Sequence, residues 1–163
     1  MRATTLTGNT SQDVLGFTLI ELLVTIVIIS ILAAIALPSF LNQAAKARMA
    51  EAKTTVGAVN RAQQAYRIEN PDFASSFEDL EIGLPTSTEN YTYTIAASAG
   101  DSATIITSTL EVPLRNFSGG VFVTNDGLAS TAACQTLNVN ESAELPTLVD
   151  DQAVCPSAME PMR

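Results

Sequence analysis

Residues 16–38 read GFTLIELLVTIVIISILAAIALP, from Gly16 to Pro38, and the architecture of the chain turns on them. From Phe17 through Leu37 the run is apolar except for Thr18, Thr25, Ser30 and one charge, Glu21. As a helix, such a run covers roughly 30 Å, the thickness of a bilayer core. Extended to Leu41, the window Phe17–Leu41 holds 19 apolar residues in 25 positions. It is read as a membrane-spanning helix. A cleavable secretory signal is the competing reading, with Ala34-Ile35-Ala36 as its small-x-small site. The run is too long for such a signal, carries a carboxylate, and follows a start with one basic side chain.

On the N-terminal side, Met1–Gly16 is polar and small, with no helical or strand period, and reads as a processing segment. On the C-terminal side the helical signal continues. Pro38 lacks an amide donor and is expected to kink the helix. Beyond it, Ala45, Met49, Ala52, Val56, Val59, Ala62 and Tyr66 recur at spacings of four and three, an apolar stripe on one face. Lys46, Lys53 and Arg67 lie on another strip. A helix continuous over residues 17–67 would be about 75 Å long. It should stop near Glu69-Asn70-Pro71.

A polar loop is expected over residues 72–89, with Gly83 and Pro85 as breakers. Strands follow at Tyr91–Ile95, Thr104–Val112 and Gly120–Thr124, the last closed by Asn125-Asp126-Gly127. Their apolar face needs cover, and the stripe of residues 45–66 supplies it. The expected fold is α+β: a long N-terminal helix, half membrane-spanning and half amphipathic, with a small antiparallel sheet packed on its distal half. The expected divisions are a leader at 1–16, an apolar helix at 17–41, its amphipathic continuation at 42–69, and a globular head at 70–163.

Cys134 and Cys155 are the only cysteines. In a domain carried across a membrane they read as a disulfide, worth roughly 3 kcal/mol for a loop of this size in the chain-entropy model. The loop is rich in Thr, Asn, Ser and Pro and would pack poorly alone. A redox or metal-binding pair would want a tighter C-x-x-C spacing.

Charge is uneven. Residues 1–67 are net positive by three, and residues 68–163 net negative by twelve. The acidic part has no basic stripe for phosphates, so direct nucleic-acid binding by the head is not expected. The absence of His removes His-based triads and His-ligated metals. The chain reads as a builder or anchor rather than an enzyme, with no cofactor and no metal. Asp126, Asp150 and Asp151 match no calcium loop. Glu78-Asp79-x-Glu81 reads as a solvated edge. Asn90, Asn116 and Asn140 begin glycosylation-type triplets, a pattern common by chance.

The run Gly16-Phe17-Thr18-Leu19-Ile20-Glu21-Leu22-Leu23, followed by Ala36-Leu37-Pro38-Ser39-Phe40, resembles the N-terminal signature of type IV prepilins and related pseudopilins. Asn60-Arg61-Ala62-Gln63-Gln64-Ala65-Tyr66 and Ile82-Gly83-Leu84-Pro85-Thr86 resemble the cyanobacterial branch of these pilins. The resemblance covers about residues 16–95. It implies cleavage after Gly16 by a prepilin peptidase, methylation of the new Phe17 amine, and polymerisation of copies through the N-terminal helix by a pilus assembly machinery. It implies a single-pass inner-membrane protein before assembly and a surface fibre afterwards, serving motility, adhesion or DNA uptake. A secretion pseudopilin or minor pilin is the alternative, and a membrane-anchored binding module a more distant one.

Glu21 then acquires a role. A carboxylate deep in lipid costs about 2.5–3.5 kcal/mol on insertion scales. Cleavage would leave a cationic amine on Phe17, and Glu21 is expected to neutralise that amine on an adjacent subunit, setting axial register.

Overall fold

The computed structural model describes residues 17–98, 100–110 and 113–162. The expected leader, Gly16 included, lies outside the described residues. One helix, α1, runs from Leu19 to Glu69. Glu69 is two residues short of Pro71, and Asn70 closes the end by donating from its backbone N (2.9 Å) and its Nδ2 (3.0 Å) to the Tyr66 carbonyl. The helix passes through Pro38 without interruption. The chain divides between Leu41 and Asn42 into two compact units.

In the first unit, every residue from Phe17 to Leu41 is exposed. The helix is long and apolar enough to cross a membrane by length and composition. Among the described residues of the unit, nothing covers its Leu, Ile and Val side chains.

In the second unit, the strands are β1 (Tyr91–Ser98), β2 (Ser102–Thr109), β3 (Phe117–Val123), β4 (Ala129–Thr136), β5 (Thr147–Val149), β6 (Gln152–Val154) and β7 (Met159–Pro161). Five form an antiparallel sheet in the order β1-β2-β3-β4-β7, and β5 with β6 makes a separate hairpin. This is the α+β plan expected, with a larger sheet. The strand expected at Gly120–Thr124 begins three residues earlier, at Phe117, and β2 ends at Thr109; Val112 lies outside the described residues. The turn at 125–127 forms as expected: Gly127 takes a φ of 75° and the Thr124 amide donates to the Leu128 carbonyl at 2.8 Å.

The core explains the amphipathic stripe. Ala52, Val56 and Val59 are buried in one cluster with Tyr91, Tyr93, Ile105, Leu114 and Phe117, and Ala45, Met49, Ala62 and Tyr66 pack against it. The segment expected as a polar loop contributes too. Its Phe73, Ala74, Phe77 and Leu80 are buried, while Ser75, Glu78 and Asp79 between them face water. Gln63 fixes this segment by accepting from the Ala74 amide at 3.0 Å and donating to the Ala74 carbonyl at 2.8 Å. Asn60 ties the helix to the sheet, its Nδ2 donating to the Ala132 carbonyl at 2.9 Å. Both amides are buried and bonded, as buried polar groups must be.

Helix and sheet come this close because β3 turns Gly119 toward the helix, and Gly120 leaves room on its other face. A Cβ on Gly119 would meet Asn60 Oδ1 and Val56 Cγ1 at 2.6 and 2.8 Å, and one on Gly120 would meet Phe122 and Pro146 at 2.7 and 2.8 Å. Neighbouring strand residues point to opposite faces, so β3 is bare on both sides where two layers press on it.

Candidate functional site

Phe17 and Glu21, the residues expected to act in assembly, stand just before and within the first turn of α1. Phe17 is 79% exposed. Thr18 and Glu21 hold each other: the Thr18 backbone N and Oγ1 both donate to Glu21 Oε2, at 3.0 and 2.7 Å, and the Glu21 amide donates to Thr18 Oγ1 at 3.3 Å. This is a reciprocal capping box, in which threonine and a glutamate three residues on satisfy orphan amides of the first helical turn. Glu21 is thus more than a lone charge in an apolar run. Its carboxylate also lies near the positive end of the helix dipole, which favours an anion there.

Thr18 is a residue the sequence reasoning missed. Its signal was present, since T-x-x-E ahead of an apolar run is the sequence form of a capping box. Further along, Thr25 Oγ1 and Ser30 Oγ donate to carbonyls one turn back, Leu22 at 2.7 Å and Ile26 at 2.7 Å. The hydroxyls in the apolar run are therefore satisfied inside the helix, as a segment facing lipid or other helices requires.

In the second unit, Cys134 and Cys155 are joined by a disulfide, with Cα atoms 5.7 Å apart. Cys134 is fully buried at the centre of a small cluster with Ala143 and Met159. The bridge lies beside the β4–β7 pairing, where Cys134 faces Pro161. Asn125 and Asp151 join two turns: the Asn125 backbone N and Nδ2 both donate to Asp151 Oδ1 at 2.9 Å. Asp151 is committed to Asn125 in this way, and among the described residues no three His, Cys, Asp or Glu side chains are placed to hold a metal ion.

Two further acids are structural. Asp79 accepts from Ser75 Oγ and the Ser76 amide at 3.1 Å each, and these serines hold its carboxyl below the usual range. Glu141 accepts from Asn138 Nδ2 at 2.7 Å and from the Asn138 amide at 3.0 Å, which likewise lowers its carboxyl. Burial pushes the Tyr91 phenol up, and its hydroxyl donates to the Arg115 carbonyl at 2.9 Å. Of the three glycosylation-type asparagines, Asn90 and Asn116 are buried and Asn140 is exposed.

Residues 49–156 match the family described as Type IV pilin-like G and H, and residues 13–37 match the Prokaryotic N-terminal methylation motif. The chain is 42% identical over 99 residues to the Type IV major pilin protein PilA of Myxococcus xanthus, a stretch covering 60% of this chain and 44% of that protein. It is 34% identical over 92 residues to the Type IV wide pilus major component PilA4 of Thermus thermophilus, covering 56% of this chain and 70% of that one. It is 35% identical over 75 residues to the Type II secretion system core protein G of Pseudomonas aeruginosa, covering 46% and 53%. Less than half of the Myxococcus protein is therefore spanned by the match.

Proposed function

Because the chain belongs to the type IV pilin-like G and H family, we propose that it is the major structural subunit of a type IV pilus. In this reading the leader 1–16 is removed after Gly16 by a prepilin peptidase, and the new amine of Phe17 is methylated. The subunit waits in the inner membrane through residues 17–41. The assembly machinery then draws it into a fibre on the cell surface, with residues 42–69 and the head 70–163 forming the subunit body.

One observation carries the proposal. A single unbroken helix buries the face of its distal part under a sheet, yet exposes every residue from Phe17 to Leu41. Those side chains are stable in lipid, or against copies of themselves once lipid is left behind. Pro38 sits inside this region and removes one backbone hydrogen bond, which favours local stretching on packing. Glu21 neutralises the Phe17 amine of an adjacent copy and so fixes axial register. The Thr18 clasp holds its carboxylate in place for that partner.

The similarity to the secretion core protein G favours a second reading, a pseudopilin that stays in the cell envelope. Shearing cells and sequencing the protein N-terminus by mass spectrometry separates the two. A major pilin dominates the sheared fibres and begins with methylated Phe17. Retention in the envelope supports the pseudopilin, and an N-terminus at Leu37 overturns both readings.

A further inference from the structure

The second unit carries opposite charges at the two ends of its sheet. At one end, a groove of about 340 Å³ is lined by Lys46, Met49, Ala50, Lys53, Arg115 and Gln135. Among the described residues its lining holds three cations and no acid, with Glu160 at its edge, bonded to both Arg115 and Gln135; elsewhere residues 68–163 hold fourteen acids against two basic side chains. Arg115 is steadied by Glu160 at 2.9 Å, and the Lys53 ammonium rests 5.9 Å from the centre of the Phe117 ring. Lys46 is exposed.

At the other end, three turns stand side by side. The Val123 amide donates to the Asp101 carbonyl at 2.9 Å, and Asn125 is bound by Asp151. Asp72 lies beside Gly100. Asp72, Asp101, Asp126 and Asp150 are all exposed there. Arg67 at this end is held over the Phe73 ring at 5.9 Å. The Asp151–Asn125 bonds fix the turns that carry Asp126 and Asp150, so the acidic end is a prepared surface.

These ends cannot meet within one copy. Seven residues of β3 separate Arg115 and its groove from the acidic turns, about 20 Å of strand. Unlike patches on opposite ends of a rigid body meet in a head-to-tail contact, which repeats without closing and builds a filament. We infer that the basic groove of Lys46, Lys53 and Arg115 receives the acidic turns, Asp126 and Asp150 foremost, of a second copy of this chain. The inference rests on the fibre reading above and names the surfaces by which the heads contact one another. It gives the acidic heads a directional attraction where their net charge alone would only repel.

Treating sheared fibres with a carbodiimide tests this, because the reagent joins an amine to a carboxylate only where they touch. The expected result is peptides linking Lys46 or Lys53 to Asp126 or Asp150, present in fibres and absent from detergent-dispersed subunits. Reversing the groove with Lys46→Glu and Lys53→Glu lowers fibre yield about tenfold, the effect of placing like charges face to face. Adding Asp126→Lys and Asp150→Lys to the same chain restores it, which a folding defect would not allow. Fibres whose lysine links fall elsewhere, or a four-residue swap without recovery, overturn the inference while leaving the fibre reading intact. Absence of fibres from the unaltered chain overturns both.

Discussion

The Asn60 side chain lies against the backbone of Gly119, and its oxygen would be 2.6 Å from any Cβ placed there. Helix and sheet are joined at this point with no space for one methyl group. Gly119→Ala therefore forces the Asn60 amide off the Ala132 carbonyl or pushes α1 from β3. Overpacking of this kind costs about 1–3 kcal/mol. Thermal unfolding of the detergent-dispersed chain should show a midpoint lower by several degrees, and an unchanged midpoint would mean that the layers part easily.

Gln63 bonds both the amide and the carbonyl of Ala74, and it is buried. Gln63→Leu keeps the volume and leaves two buried backbone groups without their partner. Each unmet group costs about 1–3 kcal/mol. The loss should be local, so limited proteolysis is expected to cut within residues 70–89 of the variant well before the parent. Equal cutting rates would count against it.

Thr18 and Glu21 separate a capping role from a charge role. Gln retains the capping geometry at position 21 and removes the charge. If Glu21 pairs with the Phe17 amine of a neighbour, Glu21→Gln and Glu21→Ala both abolish fibres while processing and membrane insertion continue. If the helix cap is what assembly needs, Gln supports fibres and Ala does not. Thr18→Ala should loosen the first turn by about 0.5–2 kcal/mol, read as faster amide exchange at residues 19–22 in micelles.

Glu141 gives a pH dependence with a defined sign. Asn138 lowers its carboxyl relative to the unfolded chain, so the folded form binds its proton less readily. The contribution of this turn is fully present above the ordinary glutamate range and is lost as pH falls through the depressed folded value. The protection of the Asn138 amide, taken relative to its intrinsic exchange rate at each pH, should therefore fall in acid. Glu141→Gln should remove that acid-dependent step, and a step that survives the substitution must belong to another group.

The sequence revealed most where one physical signal dominated. Positions 45–66 carry a clean spacing of three and four, and all seven stripe residues pack in or on the core. Three features escaped. β4 reads ASTAACQT, small and weakly alternating, with nothing beyond its two threonines of the β-branched and aromatic residues that mark a strand. The β5–β6 hairpin turns on Asp150 and Asp151, both at positive φ (49° and 60°), where glycine or asparagine would have announced a turn. Residues 72–89 look polar on average, yet Phe73, Phe77 and Leu80 are spaced so that they point inward. At the start of α1, Glu21 stood out as the one charge in the apolar run, and its partner Thr18 was overlooked because a hydroxyl in such a run carries little contrast.

The disulfide has a mechanical consequence. Cys134 and Cys155 are 21 residues apart in sequence, and the bridge closes the chain between them into a ring. In the proposed fibre, load could draw out every other stretch of an unravelling head. It cannot draw out the ring, which withholds about 70 Å of contour length from extension. A head pulled apart while oxidised thus reaches its taut limit sooner than a reduced one, and the bridge acts as a stop on how far a strained subunit can yield.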